Sequence, residues 1–310
     1  VQNGEEALTP LSPLLPIEFT AFGDLRYVWP LGERGHFEIG SLELDVALSL
    51  SDHVAVATAV AYDAAADSFG VPAFTVDGSL AGPLHKHVIR TDWLDDSGVV
   101  LGKFDVPFGI AYLRYASTDN PYVLTPLPVT LTHGGWNDIG AQGYAVARHF
   151  NITVWWVDGI GRAAPGSAPD PNMGGRLGLT PVPELELGGS AASTILGEPD
   201  RVFGADLALR TEPLTIENEI IARRAAEQTD WGAYTQALGR IDWVFLGARY
   251  ETAFLDRALI GSAIGGVLGA EVFPRAEVRV ASAHDLDSRE TTVFFQIVGG
   301  SSWQPTGLRR

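Results

Sequence analysis

Cysteine is absent from the 310 residues, which excludes disulfide staples and thiolate metal centres while leaving the redox compartment open. Lysine occurs only at Lys86 and Lys103. Nearly all positive charge is therefore arginine, whose planar fork suits two-point pairing with carboxylates in confined space. Positive charge is itself scarce: 38 acidic residues face 21 basic ones, for a net charge of -17. That balance excludes a nucleic-acid partner, whose phosphates call for basic clusters, and favours cations nearby.

Long apolar runs are missing too. The nearest is Ala258 to Ala270, 13 residues, where a membrane-spanning helix needs about 20. Gly261, Gly265 and Gly269 give it small-residue spacing, but without a helix long enough to use that spacing it reads as a glycine-rich strand or packed turn. A membrane crossed by strands stays open. The chain starts at Val1 with no leader in view, as either a removed leader or a trimmed start would leave it. Gly-x-Ser-x-Gly, a phosphate loop and His-Glu-x-x-His are all absent, so the reading is of a protein that is not an enzyme and holds no cofactor or metal.

What the sequence does have is alternation. In SLELDVALSL, Leu42, Leu44, Val46, Leu48 and Leu50 fall on one side, with Glu43, Asp45, Ala47 and Ser49 on the other. This is the period of a β-ribbon. The beat recurs in VFGADLALR, where Asp206 and Arg210 oppose Phe203, Leu207 and Leu209, and in PLTIENEIIARR, where Glu217, Glu219 and Arg223 oppose Ile216 and Ile220. Glu217, Ile221 and Arg224 also recur at helical spacing, which leaves a helix as an alternative there. Toward the end, Arg249 lies in a mixed-face strand, and Glu277 and Arg279 oppose Val278 and Val280. The pattern predicts an all-β fold of about 12 to 16 antiparallel strands.

So many strands must pack as two layers or close. In a sandwich the charged faces meet water; in a membrane barrel the leucines meet lipid and the charges a polar lumen. Long strands, acidic and arginine residues opposite the leucines, and aromatics near strand ends at Tyr27, Trp29, Tyr112, Tyr115, Trp155 and Trp156 favour a closed transmembrane β-barrel.

GVVLGKFDVPFGIAY, Gly98 to Tyr112, resembles the strand and inward turn of Gram-negative outer-membrane porins of the phosphate-selective type and their shorter relatives. GGRLGLTPVPELELGGS, Gly174 to Ser190, followed by GADLALRTEPLTIENEI and LGARYE, is similar to their central and later strands. The Gly- and Pro-dense stretch 159–178 and the irregular stretch 117–138 read as long loops. The resemblance spans 17–298 and implies a barrel there, with an extension at 1–16 and a tail at 299–310. It also implies location in the outer membrane among lipids or detergent, passive diffusion of small solutes or ions, and a homotrimer in some members. Pro107-Phe108-Gly109 would then mark the point where the chain leaves the wall for a loop that narrows the pore, since proline lacks a donor and glycine permits a tight turn. The acidic excess departs from an anion-selective lumen and points to cation preference. The candidate pore-lining residues are Glu43, Asp45, Lys103, Asp105, Asp206 and Arg210 in the first part of the chain. Glu217, Glu219, Arg223, Arg249, Glu277 and Arg279 complete the set.

Other constellations are weaker. His85 and His87 offer two imidazoles on one strand face near Asp92 and Asp95, an incomplete metal site. Glu184 with Glu186, or Glu217 with Glu219, has spacing compatible with a glycosidase carboxylate pair without indicating one. Asp285 to Glu290 is an acidic turn without the spaced oxygens of a calcium loop. The alternative from another class is a soluble or surface-associated all-β binding or structural protein, with Trp93, Trp136, Trp155 and Trp156 as core or carbohydrate-stacking groups.

Overall fold

Alternating apolar and charged residues can be buried with either face inward, and here the charged face is inside. The computed structural model describes residues 17–51, 53–63, 67–79, 94–160 and 170–303. They form sixteen strands: β1 (Ile17–Pro30), β2 (His36–Ser51), β3 (Val54–Asp63), β4 (Ser68–Ser79), β5 (Leu94–Asp105), β6 (Asn137–Ala147), β7 (Phe150–Val157) and β8 (Asn172–Val182). The second half comprises β9 (Leu185–Thr194), β10 (Asp200–Thr211), β11 (Leu214–Ala225), β12 (Gln228–Ile241), β13 (Val244–Leu255), β14 (Ala258–Phe273), β15 (Ala276–Asp285) and β16 (Thr291–Trp303). Each strand pairs antiparallel with its sequence neighbours, and β1 closes on β16. A closed barrel leaves no free sheet edge along its paired wall.

On a single strand the two faces differ sharply. Leu246, Leu268 and Ile297 are 65%, 54% and 58% exposed, whereas Arg249, Arg279 and Gln296, on β13, β15 and β16, are 4%, 3% and 2% exposed. Tyr27, Trp29, Phe37 and Trp156 lie on the apolar outer face, as does a stacked pair, Trp231 and Phe254, 4.1 Å between ring centroids. Three aromatics expected at strand ends are elsewhere: Tyr112 and Tyr115 belong to a segment inside the barrel, and Trp155 is turned inward against Trp136. Trp155 and Trp156 are adjacent on one strand, so period two sends them to opposite faces.

Several expected boundaries also shift. The 217–225 stretch is strand, not helix, because Glu217, Glu219 and Arg223 all find partners on one face. The glycine-rich 258–273 stretch is strand β14. Strand β8 begins at Asn172, inside the expected 159–178 loop, and β16 runs to Trp303, past residue 298. Many hairpins are very tight: Asp256 and Arg257 join β13 to β14 with φ of 46° and 76°. A two-residue turn of this hand needs positive φ at both positions, usually supplied by Asn-Gly, so this one carried no conventional signal.

Between β5 and β6 the chain enters the barrel. Pairing of β4 with β5 stops at Phe74 and Lys103, while β5 continues beside β6 to Asp105 and Asn137. Gly102 stands at that divergence with φ +128°, and a Cβ there would lie 1.9 Å from the Phe74 carbonyl oxygen. Only glycine fits. Residues 106–136 then form an insert holding a 3₁₀ turn (Ala111–Arg114) and one short helix, α1 (Leu127–Thr132). Its two ends are tied where the Val106 N–H donates to the Trp136 carbonyl at 2.8 Å.

Candidate functional site

The insert touches β2, β9, β11, β12, β13 and β15. A segment can reach strands so far apart in a closed barrel only from within. Two apolar clusters seat it there. Phe108, Val129 and Trp136 pack with Trp155, Val202 and Ile221 of the wall, and Tyr122 and Val123 pack with Phe245, Val267 and Phe294. Burying a ring such as Phe108 contributes on the order of 2 kcal/mol.

Irregular backbone inside a barrel still needs hydrogen-bond partners, and charged wall side chains supply them. Arg279 donates to the carbonyls of Ser117, Asn120 and Thr118 at 2.8, 2.9 and 3.2 Å. Arg249 donates to the Leu124 carbonyl at 2.8 Å, and Arg223 to the Thr132 carbonyl at 2.6 Å. Carboxylates serve the opposite need. Glu251 accepts the Leu127 N–H at 2.9 Å at the start of α1, and Glu219 lies against the N–H groups of Ile110 and Ala111 at the 3₁₀ turn. Gly109, φ +65°, precedes that turn, and a Cβ there would stand 1.6 Å from Glu219 Oε1.

Side chain to side chain contacts complete the seat. Arg114 grips Glu217 through both Nη2 and Nε at 2.6 and 3.0 Å, and Gln236 donates to the same carboxylate at 2.7 Å. Burial lowers the affinity of Arg114 for its proton, but the Glu217 carboxylate more than offsets this and holds the guanidinium above its ordinary value. Burial pushes the Tyr122 hydroxyl up to about 12, so it remains a donor to the Ala237 carbonyl at 2.7 Å. His133, packed between Phe108 and Trp136, is brought down to about 3 by burial and by Arg223 nearby. It is neutral at ordinary pH.

Open space remains beside the insert, along β1 to β5 and along β15 and β16. One cavity of about 740 Å³ is lined by Ser41, Glu43, Tyr62, Lys103, Asp105 and Tyr115, among others, toward the end of the barrel from which the insert enters. A second, about 630 Å³, is lined by Glu18, Thr20, Asp45, Asp119, Arg275 and Glu277, among others, toward the opposite end. Both are bordered by Phe22, Glu43 and Ala116. Together they show six carboxylates, Glu18, Glu43, Asp45, Asp105, Asp119 and Glu277, against three cations, Lys103, Arg275 and Arg279. Among the described residues no arginine or lysine forms an ion pair with Glu43, Asp45 or Asp105.

The twelve candidate lining residues thus divide. Glu43, Asp45, Lys103, Asp105, Glu277 and Arg279 border the two cavities. Glu217, Glu219, Arg223 and Arg249 are occupied with the insert. Asp206 pairs with Arg176 at 2.7 Å, and Arg210 with Glu186 at 3.1 Å, in a wall network that Arg176 extends to Glu186 at 3.0 Å. Sequence reasoning missed Asp24, Ser41, Arg114, Arg176, Glu251 and Gln296. Gln296 was visible as the one polar position between Phe295 and Ile297, whereas nothing local marks Arg114 as a partner of a residue on β11. His85 and His87, with Asp92 and Trp93, lie outside the described residues. The 285–290 turn satisfies itself, the Asp285 carboxylate accepting the N–H groups of Asp287 and Ser288, each at 2.8 Å.

No family model matches the chain, and no curated protein does. Solved structures do match its fold. OmpF of Salmonella typhi, in complex with daunomycin, aligns over 93% of this chain and 97% of its own with TM-score 0.66 and 9% identity. An anion-selective porin from Comamonas acidovorans aligns over 92% and 99% with TM-score 0.64 and 12% identity. A loop-deletion mutant of OmpT, an outer membrane protein of Vibrio cholerae, aligns over 92% and 99% with TM-score 0.63 and 9% identity. None of these three is described as phosphate-selective. At such identities the likeness is one of fold.

Proposed function

We propose that this barrel is an outer-membrane channel through which small solutes or ions diffuse passively, with preference for cations. The observation that carries the proposal is the pair of adjoining interior cavities, acidic on balance, inside a wall whose outer face is apolar. The apolar face suits lipid, which requires every wall backbone group to be paired internally, as closure of β1 on β16 achieves. Of the two arginines bordering the cavities, Arg279 is committed to insert carbonyls and to Glu277, while Arg275 donates to the Ser302 hydroxyl and offsets the carboxylates in part. Asp105 and the pair of Glu43 and Asp45, whose carboxyls are hydrogen-bonded to each other, are left to set the local potential, with Lys103 opposing them in part. A lumen of that sign concentrates cations and depletes anions. No catalytic residue is needed: solute size is limited by the space the insert leaves. Assembly as a homotrimer belongs to the same proposal and is read from the mass of the detergent-extracted particle.

The test is conductance of the purified, folded protein in a planar bilayer under a potassium chloride gradient. Discrete steps with a reversal potential favouring potassium are expected. Absence of steps from protein shown to have inserted would identify a closed or structural barrel, and a chloride-favouring potential would overturn the assignment of sign. Solubility of the folded barrel without detergent would favour the soluble all-β alternative.

A further inference from the structure

The two interior cavities have three lining residues in common, and these come from two sides of the passage. Phe22 on β1 and Glu43 on β2 are cross-strand partners in the wall. Ala116 belongs to the insert. The next residue, Ser117, fastens that part of the insert in place: its hydroxyl meets the Ser41 hydroxyl at 2.7 Å and its carbonyl accepts Arg279 at 2.8 Å. Ser41 is held in turn by Asp24 at 2.9 Å, and Asp24 by Gln296 at 2.7 Å. Ala116 is therefore set against the wall by a network reaching β1, β2, β15 and β16.

Resting on the channel proposal above, we infer that Phe22, Glu43 and Ala116 form the neck of the passage, and that this neck selects small organic cations such as alkylammonium and guanidinium solutes. Among the described residues Glu43 is the one ionisable group bordering both cavities, and its carboxyl is hydrogen-bonded to that of Asp45, so a solute crossing from one to the other passes an acidic pair beside a phenyl ring. A cation with an apolar body gains from both: attraction to the acidic pair, and contact with the Phe22 ring. On the insert-entry side the approach continues this character, with Tyr62, Tyr115, Val71 and Pro72 beside Asp105. The small side chain of Ala116 leaves the neck open, so bulk added there closes it. The pair of Glu43 and Asp45, with Phe22, are the specificity-determining side chains, and Ser41, Ser117 and Arg279 are positioning residues.

Absence of cysteine makes the test clean, since an introduced thiol is the only one. Ala116→Cys channels already conducting in a bilayer are treated with a trimethylammonium-bearing or a sulfonate-bearing methanethiosulfonate. Conductance is expected to fall roughly twofold or more after modification, with the cationic reagent reacting roughly tenfold faster than the anionic one. Unchanged conductance after proven modification overturns the neck, and equal reaction rates overturn its charge. Glu43→Gln combined with Asp45→Asn should move the reversal potential toward zero and remove the preference for methylammonium over a neutral solute of equal size. Retention of both refutes the role of the acidic pair. Because the cysteine reading compares one inserted channel before and after treatment, and the substituted channel is read only where it conducts, misfolding cannot mimic either. Failure of unmodified protein to conduct at all would instead defeat the channel proposal itself.

Discussion

Replacing Arg279 by Met should release the middle of the insert while leaving the barrel closed. The side chain is 3% exposed and donates to three insert carbonyls at 2.8 to 3.2 Å, and to Glu277 at 2.7 Å. Methionine keeps most of the packing volume and removes every donor. Each carbonyl left without a buried partner costs about 1 to 3 kcal/mol, and hydrogen bonds to a charged donor lie toward the upper part of that range. The adjoining cavity bordered by Ala116 and Thr118 admits water to some of those groups, so the three losses do not add in full. We work with about 3 kcal/mol in total, equivalent to roughly a hundredfold change in the local opening equilibrium. The assay is amide hydrogen exchange read by mass spectrometry in detergent, over peptides covering 115–126. The N–H groups of Asp119 and Asn120 are held by the Ala116 carbonyl and that of Leu124 by the Tyr122 carbonyl, so their exchange reports opening of this stretch. Exchange there should accelerate roughly a hundredfold in Arg279→Met while strands β10 to β13 stay protected. If 115–126 exchanges at the wild-type rate, the guanidinium is not the clamp.

Four further substitutions probe the seat of the insert. Gly109→Ala combines a positive φ with collision against Glu219 and should cost about 2 to 4 kcal/mol, seen as a lower conversion temperature of the folded form on unheated gels. Glu217→Gln leaves Arg114 without its buried partner and should cost about 3 to 5 kcal/mol in urea unfolding. Adding Arg114→Met to that variant should recover part of the loss; strict additivity would show that the pair is not coupled. His133 takes up a proton near pH 6.5 when unfolded but only near 3 when folded, so the unfolded state holds more protons between those values. Stability should therefore fall as pH drops from 6.5 toward 3, by up to about 1.4 kcal/mol per unit, and His133→Phe should flatten that slope in acid titrations followed by insert exchange.

Period two in SLELDVALSL and VFGADLALR was enough to determine an all-β chain and which residues of a strand share a face, while PLTIENEIIARR stayed open to a helix and the strand ends shifted. The same alternation fits a sandwich and a barrel, because a ribbon does not record what its two faces will meet. Closure decided that. Likewise the irregular Pro107-Phe108-Gly109 stretch signalled a departure from the wall, since proline lacks a donor and Gly109 adopts a conformation other residues resist. It could not say which strands would receive the segment. The partners are far apart in sequence: Arg114 meets Glu217 across 103 positions, and Arg279 meets Ser117 across 162.

This is why the inward charges look alike in sequence and differ in the folded protein. Glu43, Asp45, Glu217 and Glu219 have the same period and the same charge, and each has an apolar residue on at least one side. The insert then lies against β11 and takes Glu217 and Glu219 as partners for Arg114 and for the start of its 3₁₀ turn, leaving Glu43 and Asp45 beside open space. Local sequence determined that these carboxylates point inward, because side-chain direction follows from backbone pleat alone. Which of them meet the insert and which face the cavities was settled only when the barrel closed around residues 106–136, because that depends on contacts across the lumen rather than along the chain.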